Sequence, residues 1–111
     1  MKVLKINNKD YFIKFTSQAI KELNAKDITL NSLIKDMENL KVNGLYDAFF
    51  YSLKAMQHNI TLDKALNIID EYYEESEEND IEKFFTLIIE EYSSAMGLGK
   101  IVRENLHQEN K

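Results

Sequence analysis

Polar and apolar residues alternate through the N-terminal segment Leu4-Lys5-Ile6-Asn7-Asn8-Lys9-Asp10-Tyr11-Phe12-Ile13-Lys14-Phe15, and from Thr16 onward apolar residues recur three and four positions apart. The first spacing is that of a half-buried strand and the second that of an amphipathic helix. An Asn-Asn pair interrupts the alternation, and asparagine tolerates the positive φ that a tight type I′ turn requires at both central positions. The segment therefore predicts a two-stranded hairpin. Turning at Asn7 and Asn8 sets Leu4 opposite Tyr11, and turning at Asn8 and Lys9 sets Leu4 opposite Ile13. These registers differ by two, so Leu4, Ile6, Tyr11, Ile13 and Phe15 share the buried face in either case. An isolated hairpin is marginal in water, and the helices that follow must cover that face.

No proline occurs and glycine occurs three times, so helix limits must be read from caps and polar breaks. Thr16 or Ser17 opens a first short helix carrying Ala19, Ile20 and Leu23, which Asn24-Ala25-Lys26-Asp27 ends. Thr29 or Asn31 opens a second, with Leu30, Leu33, Ile34 and Met37 on one stripe and a close near Asn39. Asn43-Gly44 precedes a third, whose apolar residues spread from Leu45 through Met56, Phe49, Leu53 and Tyr46 to Phe50. That arc is about 140° wide, which fits either a central helix or one whose edge meets a partner. Tyr51, with Ala48 and Ala55 on the opposite side, is a candidate exposed contact. Thr61 caps a fourth helix, with Asp63 in its first turn and Leu62, Ala65, Leu66, Ile69 and Tyr72 or Tyr73 inward. Asn79 with Glu82 has the form of a capping-box variant ahead of a fifth helix bearing Ile81, Phe84, Phe85, Ile88, Ile89 and Tyr92. Gly97 is its natural C′ residue. Leu98, Ile101, Val102 and Leu106 then have the spacing of one more amphipathic helix before a polar tail from His107 to Lys111.

The expected architecture is α+β and mostly α, a hairpin on a bundle of five to six short helices. One domain is expected over 1–111: hairpin 2–15, helical bundle 16–97, and C-terminal amphipathic segment and tail 98–111. The length of 111 residues and a 44% hydrophobic content suit that size of core. No cysteine is present, so disulfides and thiolate metal sites are excluded. The N-terminus lacks the apolar stretch of a secretory signal and no apolar run is long enough for a bilayer, so a soluble intracellular protein is expected.

Charge changes the picture more. The net charge is −5, and Asp70, Glu71, Glu74, Glu75, Glu77, Glu78, Asp80 and Glu82 follow one another with no lysine or arginine between them. Such a surface repels phosphates, and the helices after Lys41 lack the basic residues of a recognition helix, which excludes nucleic acid as a partner. The run reads either as a solvated connector or as a docking patch for a basic segment.

Catalytic constellations are thin. His58 and His107 lie in a connection and in the tail, no HExxH is present, and the acidic run lacks the spaced ligands and central glycine of a calcium loop. Gly97-Leu98-Gly99-Lys100 lacks the spacing and the hydroxyl residue of a phosphate loop, and helix termination accounts for it better. Ser93 and Ser94 have no base legible beside them. The expectation is a non-enzyme without metal or cofactor.

Ile6-Asn7-Asn8-Lys9-Asp10-Tyr11-Phe12-Ile13-Lys14-Phe15, followed by the helix with Lys21-Glu22-Leu23, resembles the start of the tail assembly chaperones of long-tailed phages and of prophages of Gram-positive bacteria. Their N-terminus reads as a strand, an I-N-G-K-x-Y turn, a second strand ending in Phe, and a helix. Asn8 stands where those proteins have glycine, and asparagine is the best substitute for positive φ. The likeness continues in Gly44-Leu45, in Asp47-Ala48, and in Asn59-Ile60-Thr61-Leu62-Asp63 at a helix opening, covering about 75 residues. The resemblance implies a non-structural factor of the host cytoplasm, absent from the finished virion. It would bind the tape measure protein, keep it soluble, and help recruit tail tube subunits. It also implies that a frameshifted longer form engages the tube protein, the present chain being the short form.

Partner contact is expected at Tyr46, Phe50 and Tyr51 on the third helix, at Glu74, Glu75, Glu77 and Glu78 in the acidic run, and at Leu98, Ile101 and Val102. Self-association is a further expectation, since chaperoning a long client calls for many copies. The competing reading is a small acidic regulatory or antitoxin-like protein of a prophage that neutralises a basic partner.

Overall fold

The structure is a computed structural model and describes residues 1–98. Ile101, Val102 and Leu106 of the expected C-terminal segment lie outside the described residues, as do Arg103 and His107. The fold is α+β and mostly α: a two-stranded antiparallel hairpin, then five helices.

Strands β1 (Lys2–Ile6) and β2 (Lys9–Ile13) pair with Leu4 opposite Tyr11 and Ile6 opposite Lys9. The turn is Asn7-Asn8, at φ 51° and 66°, so the first of the two registers is adopted and both asparagines take the left-handed conformation. Ile6, Ile13 and Phe15 are buried, while Leu4 and Tyr11 are half-buried on the same face.

Helix α1 (Ser17–Ala25) is capped by the Thr16 hydroxyl, which accepts the Ala19 N–H at 3.1 Å. Asp27, at φ 62°, turns the chain, and Ile28, absent from the predicted stripes, drops into the core. Helix α2 (Leu30–Asn39) opens on a reciprocal capping box. Thr29 accepts the Ser32 N–H at 3.1 Å, and Ser32 Oγ accepts the Thr29 N–H at 2.8 Å. It ends on Leu40, a left-handed residue at φ 53°.

Helix α3 (Asn43–Leu53) includes Asn43 and Gly44, which the sequence placed ahead of it, and Val42 caps it without a side-chain hydrogen bond. A Cβ at Gly44 would lie 3.1 Å from Asp36 Oδ2, so the glycine lets α2 and α3 approach closely. The helix touches α1, α2, α4, α5 and β2, and no residue from Gly44 to Ala55 is fully exposed. Two expectations are thereby corrected. Ala48 lies not on an open side but wholly inside, as does Ser52, because α1, α2, α5 and β2 contact α3 as well as α4. Met56 falls beyond the helix end and is exposed, so it does not extend the stripe.

Helix α4 (Leu62–Glu75) is capped by Thr61, which accepts the Lys64 N–H at 3.2 Å. Its inner residues are Ala65, Ile68, Ile69 and Tyr72; Ile68 replaces the expected Leu62, which sits exposed in the first turn. Helix α5 (Ile81–Ala95) is capped by Asp80 rather than Asn79. Asp80 Oδ1 accepts the Lys83 N–H at 2.8 Å, and the Asn79 amide instead donates to the Tyr72 carbonyl at 2.9 Å, closing α4. Beyond α5, Gly97 takes φ 78°, and the Leu98 N–H returns to the Ser93 carbonyl at 2.8 Å, the glycine-closed end expected there.

These elements meet in one apolar core. Phe84 is its aromatic hub, with ring centroids 5.2 Å from Phe49, 5.3 Å from Tyr72, 6.2 Å from Tyr73 and 6.3 Å from Tyr46. Tyr92 reaches across from α5 and donates to Asn24 Oδ1 at 2.9 Å, with the Ile28 carbonyl 3.3 Å away, which joins α5 to the ends of α1 and the following turn.

Candidate functional site

Three surfaces carry the residues that the sequence singled out or that chemistry favours. The first is an acidic shoulder where α4 ends and α5 begins. Glu74, Glu75, Glu77 and Glu78 are all exposed there, and among the described residues none of the run's carboxylates pairs with a basic side chain. Glutamates at a helix C-terminus oppose its macrodipole, so Glu74 and Glu75 sit where helix stability would favour a lysine. Some members of the run have evident structural work: Asp80 caps α5, Glu82 lies in its first turn, and the Glu75 carboxylate accepts the N–H of Asn7. Glu74, Glu77 and Glu78 have no side-chain hydrogen bond within the described residues.

The second surface is the aromatic edge of α3. Tyr46, Phe50 and Tyr51 are each half-buried, and the structure does not bring them together as one patch. Tyr46 turns toward the core, its hydroxyl 3.2 Å from that of Tyr73. Burial first, and then the hydrogen bond with Tyr46, push the Tyr73 phenol well above its usual range; burial chiefly, with the Asp80 carboxylate, pushes Tyr72 up to about 12. These phenols stay neutral at any physiological pH. Phe50 and Tyr51 instead form a small ridge with ring centroids 5.3 Å apart, and the Lys54 ammonium lies 5.1 Å and 4.9 Å from the two rings. A shallow hollow beside Tyr51 is lined by Lys14, Gln18, Glu22, Lys54 and His58.

The third surface was not anticipated. An open groove of about 540 Å³ runs between β1 and the C-terminal part of the fold, with Leu4, Tyr72 and Leu87 as its apolar lining and Lys2, Lys83 and Glu90 among its charged margins. Leu87 lies off the inner stripe of α5. Leu98 is exposed beyond α5, remote in sequence from the other candidates.

Among the described residues no group of three or more histidine, aspartate or glutamate side chains is placed to hold a metal ion, and no helix is long and apolar enough to cross a membrane. The arrangement offers recognition through charge, aromatic edges and an apolar groove. No family model, no curated protein and no solved structure matches this chain.

Proposed function

We propose that this protein is a phage tail assembly chaperone, which binds the tape measure protein without catalysis and helps bring tail tube subunits to it in the host cytoplasm. The observation that carries the reading is the order of the motifs shared with those chaperones. Ile6 to Tyr11 is a hairpin turn, Thr16 caps the next helix, and Asn59-Ile60-Thr61-Leu62-Asp63 is a helix opening with Thr61 at the cap. A chaperone for a long amphipathic client needs apolar contact bordered by charge that keeps the complex in solution. The Phe50–Tyr51 ridge and the exposed Leu98 supply the first, and the shoulder of Glu74, Glu77 and Glu78 supplies the second.

Co-expression with a tape measure protein, a long helical chain, tests the reading. The large protein is expected in the soluble fraction, and in one size-exclusion peak with this chain. Equal insolubility with and without this chain, and no joint peak, would refute it. Recovery of a small basic partner instead would favour the antitoxin-like alternative.

A further inference from the structure

The hairpin has two edges, and they are not equivalent. In a two-residue type I′ hairpin the pair flanking the turn exchanges both hydrogen bonds, so Ile6 with Lys9, Leu4 with Tyr11 and Lys2 with Ile13 are the bonded pairs. The N–H and C=O groups of Val3 and Lys5 therefore point away from β2, along the outer edge of β1. The next outward N–H on that edge, that of Asn7, is already taken by the Glu75 carboxylate. On the other edge the outward N–H of Lys14 donates to the Ser52 carbonyl at 3.1 Å; the outward groups of Asp10 and Phe12 have no such partner among the described residues, but Phe12 is half-buried and α3 packs on β2. Val3 and Lys5 have no such partner among the described residues, and the groove lined by Leu4, Tyr72 and Leu87 lies beside them.

We propose that this edge takes an extended segment of a partner protein as a third strand, and that the segment alternates apolar with acidic residues. The main chain of the segment meets Val3 and Lys5, one set of its side chains covers Leu4 and Leu87, and the other stands beside Val3 and Lys5 on the outer face. Charge selects the occupant. A second copy pairing edge to edge would set the lysines of β1 against one another, which is how natural edges resist self-pairing. An acidic strand meets Lys2 and Lys83 at the margins of the groove and Lys5 at its edge, whose present partner is the exposed Asp10 carboxylate at 3.9 Å, against Glu90 and a Glu75 already engaged by Asn7. This assignment is independent of the chaperone reading, because it concerns an extended ligand rather than a helical client.

The test is a titration of the isotope-labelled full chain with a capped heptapeptide of alternating glutamate and valine, followed by amide NMR. The Val3 and Lys5 amides are expected to shift and to gain protection from hydrogen exchange. Successive residues of a strand turn their N–H groups to opposite edges. N-methylation of one alternate set should therefore abolish binding, and methylation of the other should leave it within about twofold. Leu87→Asp should weaken binding about tenfold and Lys5→Glu about fivefold, the methylated peptides serving as the comparison that leaves the protein untouched. Unmoved Val3 and Lys5 amides at millimolar peptide, shifts confined to the Phe50–Lys54 ridge, or equal binding by both methylated peptides would each overturn the proposal.

Discussion

Leu40 closes α2 in the left-handed conformation and is 57% exposed, an unusual residue for a position that favours glycine. Leu40→Gly is expected to raise stability by about 0.5–1 kcal/mol, measured by urea unfolding, because it relieves the conformational cost while removing little buried surface. Phe84 has the opposite character: four aromatic rings meet it and none of it is exposed. Phe84→Ala should cost about 3–5 kcal/mol in the same experiment. Both roles show what was legible at this scale. The apolar stripe of α5 placed Phe84 inside, but periodicity along one helix says nothing of which rings on other helices it meets. Leu40 carried no signal at all, since its conformation is imposed by the way α2 and α3 are joined.

The elements were more legible than the residues that limit them. The hairpin, its buried face and the caps Thr16, Thr29 and Thr61 follow from alternation and from the preference for hydroxyl residues at helix starts. Asp80 escaped because Asn79, Asp80 and Glu82 offered two plausible caps one residue apart, and only the hydrogen bond from Asn79 to the Tyr72 carbonyl decides between them. Asp80→Ala should therefore destabilise by about 1 kcal/mol through loss of the α5 cap. In Asn79→Ala the cap should persist, so the N-terminal amides of α5 should keep their exchange protection there and lose it in Asp80→Ala. The groove escaped for a different reason. It is made by β1 together with α4 and α5, which lie far from β1 along the described chain, so no local pattern contains it.

At the scale of the whole molecule, ionisation is concentrated on the surface and the buried aromatic hub is held neutral. Tyr72 keeps its proton in the folded state up to about pH 12, whereas an unfolded chain loses it near pH 10. Its contribution to stability is therefore complete below about pH 10 and is lost as the pH climbs toward 12. Thermal melts over this range should show a falling midpoint, and Tyr72→Phe should fall less steeply because one of the responsible protons is absent. A fall of equal slope in both proteins would remove Tyr72 from that account.

The hairpin's two external ties, from Asn7 to Glu75 and from Lys14 to Ser52, also fix a timetable. The strands are synthesised before the helices, and a hairpin closes within microseconds, but alone it is only marginally stable. The partner that engages Asn7 lies 68 residues further along the chain. At a synthesis rate of about 5–20 residues per second, roughly 3–14 s separate the two on the ribosome. Through that interval the apolar face of Ile6, Ile13 and Phe15 waits without its full cover, so this small fold can complete itself only as translation of α4 and α5 ends.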